Sequence, residues 1–225
     1  MRDFELYRLL AWSSPGYPTG AFSYSHGLEW AVESGAVRGA DDLLAYVTAV
    51  VTRGGGWVDS VFFAQAWRAA RSPARLDELA LTAVAFRGGA ETALESRQQG
   101  IAFLAVTRKA WPHPILESFA TRHSGQPIAH SVAVAVACAA HAIELEPALH
   151  AYLHAFAANL VSAATRLIPL GQTQAQIVVA RLSPVITDTG MRATQTDLED
   201  LGTSAPDLEL CSMLHETQYS RLFRS

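Results

Sequence analysis

An all-α fold, one compact helical domain of about ten helices with a flexible C-terminal tail, is the architecture that three features of this sequence predict. Apolar residues recur at helical spacing through alanine-rich segments, and glycine, proline and serine punctuate those segments where helix ends would fall. The stretch that most resembles a strand, Val132, Val134 and Val136 within Ile128 to Ile143, is otherwise alanine-rich and would have nothing to pair with. It is therefore read as a buried helix. A chain of 225 residues, 50% of them hydrophobic, can bury a sizeable core, and no linker, repeat or low-complexity block divides it. One domain over residues 1–225 follows.

The elements take their bounds from local chemistry. Phe4 to Trp12 sets Phe4, Leu6, Tyr7, Leu9 and Leu10 at near-helical spacing, and Ser13, Ser14 and Pro15 end this first helix. After the loop that begins at Ser13, a helix carrying Leu28, Trp30, Ala31 and Val32 stops near Gly35. Asp41 or Asp42 is expected to cap the next, through Leu43, Leu44, Val47, Val50 and Val51. Gly54 to Gly56 breaks it, and Trp57 to Arg71 follows, burying Val61, Phe62, Ala64 and Trp67. Ser72 and Pro73 start a helix toward Arg87. Past Gly88 and Gly89, Glu91 to Lys109 is helical with Gly100 inside it, a choice that costs about 1 kcal/mol against alanine and points to a close helix crossing. Trp111-Pro112-His113-Pro114 stops that helix, and a shorter one from Ile115 to His123 ends at Gly125. Pro147 to Leu167 is the longest pattern, broken at Pro169 and Gly171. Thr173 with Gln176 reads as a capping box for a helix burying Ile177, Val178, Val179 and Leu182, which Pro184 limits or kinks. A polar stretch from Asp188 to Ser204 holds a turn or two of helix around Thr196 to Leu201, and Leu208 to Glu216 is the last helix.

Charge and composition exclude several function classes. A formal charge of −4 with no Lys/Arg run argues against nucleic acid. The longest apolar run contains His130, Ser131 and His141 and falls short of the roughly 18 to 20 residues a membrane span needs. The N-terminus carries Asp3 and Glu5 and lacks a signal-peptide core, and two distant cysteines, Cys138 and Cys211, imply no disulfide framework. A soluble cytoplasmic protein is expected. Lys109 is the one lysine among 17 basic residues, so the other 16 offer the rigid bidentate fork of arginine.

Ser13 to Glu29, SSPGYPTGAFSYSHGLE, packs two prolines, three glycines and four serines beside Tyr17, Phe22 and Tyr24. Loop backbone needs water or partners, so this stretch is placed at the surface with its aromatics outward or half-covered. Two readings stay open: an interface rich in aromatics, or a plain helix-to-helix turn. No catalytic constellation assembles. His150 and His154 share a helix face, but a zinc hydrolase would follow the first with glutamate where Ala151 stands. Cys211 and His215 have the same spacing and suit nickel or zinc, though two ligands hold a metal only transiently. The Gly54–Gly56 triplet lacks the Lys-Ser/Thr of a phosphate loop, and no serine sits in a nucleophile elbow. Glu91 and Glu95, one turn apart, read as a solvated face or a pair meeting a partner's arginine. The tail, residues 217–225, carries Tyr219, Leu222 and Phe223 with too few neighbours in sequence to bury them, alternating with Arg221 and Arg224.

Three stretches together resemble the UreF family of urease accessory proteins. In the loop, Pro18, Gly20, Phe22, Ser25, Gly27, Leu28 and Glu29 stand at the family's characteristic places, and Tyr24 lies among them. AATRLIPLGQT, residues 163–173, is similar to its late-helix motif, and HETQYSRLFRS, residues 215–225, to its end; Glu95, Arg97 and Gly100 add a weaker match. The sequence departs from the pattern at Ala175, where glycine is usual, and at His130, where a small residue is usual. The resemblance implies an all-α, dimeric protein without chemistry of its own. It implies a scaffold bridging the nickel-carrying GTPase UreG to UreD/UreH, which contacts apo-urease, with nickel in transit and no tightly bound cofactor. By motif position Phe22 and Arg221 face UreG, while the first helix and the tail face UreD/UreH; Tyr24, Glu29, Tyr219, Leu222, Phe223 and Arg224 complete the expected partner-binding set. A stand-alone nickel carrier using Cys211 and His215, or a metal-dependent hydrolase using His150 and His154, remains the alternative.

Overall fold

A computed structural model describes residues 3–225. Eleven α-helices account for the described chain together with two single 3-10 turns, and no strand occurs among the described residues. In order they are α1 (Asp3–Trp12), α2 (Leu28–Glu33), α3 (Ala40–Arg53), α4 (Gly55–Ala69), α5 (Pro73–Ala85), α6 (Ala90–Ala110), α7 (Pro114–Arg122), α8 (His130–Ala140), α9 (Leu145–Leu167), α10 (Gln172–Gln195) and α11 (Pro206–His215). The short turns are Ala21–Ser23 and Leu198–Asp200.

The apolar pattern decides the layering. Helix α8 is buried all round from Ser131 to Cys138, so neither strand nor helix periodicity shows in it. It lies at the centre, packed by α4, α6, α7 and α9. Helix α4, almost as fully buried, packs also on α3, α5 and α10. The amphipathic helices α3, α9 and α10 close one side. Gly100 serves the crossing its position predicts, since a Cβ there would come within 2.1 Å of the Ile128 carbonyl oxygen at the start of α8.

Four local expectations are corrected. Helix α3 starts at Ala40 with Gly39 as its N-cap, so Asp41 and Asp42 lie in the first turn, where their negative charge suits the positive end of the helix dipole and Asp42 accepts from Arg38 N–H at 3.0 Å. No capping box forms at Thr173: Gly171 is the N-cap of α10 and its carbonyl accepts from Ala175 N–H at 3.0 Å, leaving the threonine exposed. Ile177 is 46% exposed and Val179 half-buried, the inner face of α10 being Ala175, Val178, Leu182, Ile186 and Ala193. Pro184 does not end α10, because it faces solvent, where water can satisfy the carbonyl its missing N–H leaves free.

Candidate functional site: a loop and tail joined at one surface

The loop after α1 is pinned by its own aromatics. Tyr17 is half-buried against Phe103 and Trp111, at ring separations of 5.3 and 6.1 Å, and its hydroxyl shares a hydrogen bond of 2.7 Å with Thr107. Phe22 points outward at 67% exposure. Tyr24 departs from the expected half-covered placement: it is buried, and its hydroxyl donates to Gln98, which lets a phenol leave water. Burial raises its pKa above the usual tyrosine value. At the far end Gly27 adopts φ 77°, and a Cβ there would lie 2.9 Å from Ser212 N, so α11 can approach only a glycine.

The tail returns onto this loop. Its backbone is held by Glu29, whose Oε1 accepts from Leu222 N–H at 2.6 Å and Oε2 from Phe223 N–H at 2.9 Å. Arg224 N–H donates to the Ser23 carbonyl at 2.8 Å, and Ser25 N–H to the Ser225 carbonyl at 2.7 Å. Phe223, expected to lack cover, is only 4% exposed, because the guanidinium of Arg166 stacks 4.3 Å above its ring and the folded domain supplies neighbours that its flanking sequence does not. Arg166 also donates to the Phe22 carbonyl at 3.0 Å. The three stretches of residues 13–29, 163–173 and 215–225 thus meet at one place.

Of the predicted binding residues, Phe22, Tyr219, Leu222 and Arg224 are exposed, and Arg221 is partly so while paired with Glu91 at 2.7 Å. Tyr24, Glu29 and Phe223 lie beneath them. Further apolar side chains stand without cover on α1 and α11: Phe4, Tyr7 and Leu10 at 78%, 68% and 64% exposure, and Leu210 and Met213.

Behind the loop lies a polar chamber. Asp59 on α4 pairs with Arg87, and accepts from Ser131 at 3.0 Å and Tyr152 at 2.9 Å. Burial alone would raise the Asp59 carboxyl, but the Arg87 charge and these hydrogen bonds outweigh it and hold the group below the usual carboxylate range. Glu95 accepts from Gln99 at 3.1 Å and Ser225 at 2.9 Å, with His26 at 3.4 Å. Glu95 is therefore a buried internal anchor, and Glu91, partly covered, pairs with His215 at 2.6 Å and Arg221 at 2.7 Å, so the two do not form a solvated face. His130 presents its ring to the same space, and burial pushes its pKa down to about 4. A cavity of about 220 Å³ runs from Tyr17 and Phe22 inward to Glu95, Gln99 and His130.

The metal candidates do not converge. His150 and His154 are exposed on α9, and no group of three or more metal-capable side chains occurs among the described residues. Both nitrogens of His215 already face carboxylates, Glu91 at 2.6 Å and Glu29 at 3.1 Å, while burial and then Asp207 raise the Cys211 thiol. Sequence reading missed Arg166 as the link between loop and tail, and the Asp59–Arg87 pair. The available signal for the pair was a lone aspartate in the apolar run Trp57 to Phe63.

Known proteins resemble this chain along its whole length. The UreF family model matches residues 37–183. The urease accessory protein UreF of Granulibacter bethesdensis is 51% identical over 99% of this chain and 95% of its own length. Those of Rhodopseudomonas palustris strain BisB5 and Bradyrhizobium sp. strain BTAi1 are each 46% identical over 98% of this chain, covering 91% and 92% of their own lengths. A full-length match at this identity, together with a loop, a late helix and a tail that fold into one surface, places the chain in the UreF family of urease accessory proteins.

Proposed function

We propose that this chain is a non-catalytic scaffold of urease maturation, bridging the nickel-carrying GTPase UreG to UreD/UreH and supporting GTP-dependent nickel insertion into apo-urease. One observation carries the reading. Large apolar side chains of α1 and of the tail, Phe4, Tyr7, Leu10, Tyr219 and Leu222, stand exposed, those of α1 on helical backbone and Leu222 on backbone that Glu29 holds. Apolar and aromatic groups held rigidly in water are what a binding partner desolvates with gain. In this reading α1 and the tail meet UreD/UreH, and Phe22 with Arg221 faces UreG. Tyr24, Glu29 and Phe223 shape that surface from beneath and do not touch the partner. The scaffold works as a cytoplasmic homodimer, contacts apo-urease only through its partners, and keeps no resident cofactor, nickel being cargo. Positioning of UreG, not an arginine supplied to its phosphates, is its influence on GTP hydrolysis.

Size-exclusion chromatography with light scattering tests this, on the chain mixed with UreD/UreH and then with GTP- and nickel-loaded UreG. A complex holding both partners is expected, with nickel in its peak and little on the isolated chain. Separate elution of all components, with nickel held tightly by this chain alone, would sink the scaffold reading.

A further inference from the structure

Helix α6 is built inside out over its first half. Its inward face carries Thr92, Glu95, Ser96 and Gln99, all buried, while Leu94 and Ile101 look outward at 39% and 49% exposure. The inward polar groups have internal reasons. Glu95 accepts from Gln99 at 3.1 Å, Ser96 accepts from His130 N–H at 3.3 Å, and Thr92 donates to the Gly89 carbonyl at 3.2 Å. The outward apolar groups have no such reason within the chain. A helix ordinarily turns its apolar stripe to the core, and large apolar side chains held in water on a rigid helix gain when a partner covers them.

These side chains form one wall of an open groove of about 570 Å³. Leu94, Gln98, Ile101, Ala105 and Arg108 follow one another at steps of three or four residues along α6, so they lie on one face of it. The facing wall is the exposed turn from Ser124 to Pro127 between α7 and α8, and the floor is the buried trio Leu104, Ala120 and Ile128. From Leu94 to Arg108 the stripe runs about 21 Å, the length of a helix of about 14 residues.

The rim is basic although the chain as a whole carries a formal charge of −4. Arg97, Arg108 and His123 line the groove, and no aspartate or glutamate does so among the described residues. Glu117 takes the guanidinium of Arg108 with both oxygens and neutralises it. Arg97 spends its Nε on the Ala93 carbonyl at 3.1 Å, and among the described residues its two terminal nitrogens meet no carboxylate. An apolar trough with an uncommitted arginine fork on its edge matches an apolar helix face flanked by carboxylates.

We propose that this groove is a docking site for an acidic amphipathic helix of a partner protein, which lays apolar residues over Leu94, Ile101 and Leu104 and sets a carboxylate on Arg97. None of the residues that line it belongs to α1, to the loop of residues 13–29 or to the tail, so it is a surface additional to those of the scaffold reading. With two exposed large apolar side chains and one arginine as its main contacts, the site holds its helix weakly and in a salt-sensitive way.

The test uses the full chain alone, so its failure leaves the scaffold reading standing. The isotope-labelled chain is titrated by NMR with cross-linked helical peptides of about 14 residues that carry leucine at i, i+4 and i+7 and glutamate on both flanks. One control peptide has lysine for each glutamate, another serine for each leucine. Saturable shifts along α6 and residues 124–127 are expected with the glutamate peptide, at a dissociation constant of roughly 10–100 μM, and binding about tenfold or more weaker with either control. Ile101→Asp should abolish the response. Arg97→Glu should weaken the glutamate peptide about tenfold and strengthen the lysine peptide, an exchange that a loss of structure does not produce. Circular dichroism reports whether each variant keeps its helices, and if Ile101→Asp fails to fold, Arg97→Glu decides the matter. No saturable shift up to about 1 mM glutamate peptide, equal response to both charges, or shifts confined to α1 or the tail would overturn the proposal. Concentration-dependent shifts of α6 in the chain without peptide would assign the groove to a second copy and overturn it as well.

Discussion

His130 shows how one side chain takes its chemistry from residues far away in sequence. Its ring lies between Phe103 and Tyr152, at 5.9 and 5.5 Å, and burial lowers its pKa to about 4 against the partial opposition of Asp59 and Glu95. The folded protein thus refuses a proton that the unfolded chain accepts at about 6.5. Stability is fully present above that value and falls as pH drops from 6.5 toward 4. Between pH 7 and pH 5 the histidine should account for about 2 kcal/mol of lost stability. Urea unfolding at the two pH values should show a smaller loss for His130→Gln, in which every other titrating group is retained; an equal loss would refute the assignment. Gly100 is the opposite case, legible at once because a glycine inside a helix must have a reason. Gly100→Ala brings its Cβ within 2.1 Å of the Ile128 carbonyl oxygen, and the resulting backbone shift should cost about 3 kcal/mol in the same unfolding assay. The environment of His130 could not be read in this way, since Asp59, Glu95 and Tyr152 reach it only through the packing of four helices.

At the scale of elements, glycine and proline punctuation carried most of the fold. Ser72-Pro73, Gly88-Gly89 and Trp111-Pro112-His113-Pro114 bound helices close to where their backbone preferences require. Where the reading failed, tertiary contacts had overruled a local signal. Thr173 had the spacing of a capping box, yet α10 begins two residues earlier, directly after the extended segment at Ile168 that Pro169 imposes. Helix α1 invites a different prediction. Leu9 and Trp12 anchor it to the core, while Tyr7 and Leu10 face away at 68% and 64% exposure. Replacing both outward residues by serine should change stability by no more than about 0.5 kcal/mol per site, because nothing is unpacked. The double variant should nevertheless lose capture of UreD/UreH in a pull-down if α1 is a docking face. Retained capture at parental strength would move the interface elsewhere.

For the whole molecule, the candidate surface was legible as three separate motifs, but not as one object. Their union depends on Arg166, which touches Phe22 and Phe223 at once, and on Glu29, whose place in the loop motif gives no hint that it faces inward to the tail. Deleting residues 219–225 separates what this union does for stability from what it does for binding. The deletion removes the buried Phe223 ring, worth roughly 1.5–3 kcal/mol, and leaves Glu29 able to take water in place of two amides. For a chain of this size that loss corresponds to a fall in Tm of roughly 4–10 °C, with unfolding still cooperative because no core helix is touched. Complex formation should disappear altogether, since Tyr219, Arg221 and Leu222 go and the loop loses its support. Thermal melts paired with chromatography of the truncated chain and UreD/UreH check both halves. A stable truncated protein that still co-elutes would show that the tail props up the loop and that the partner binds elsewhere, on α1 or the loop itself.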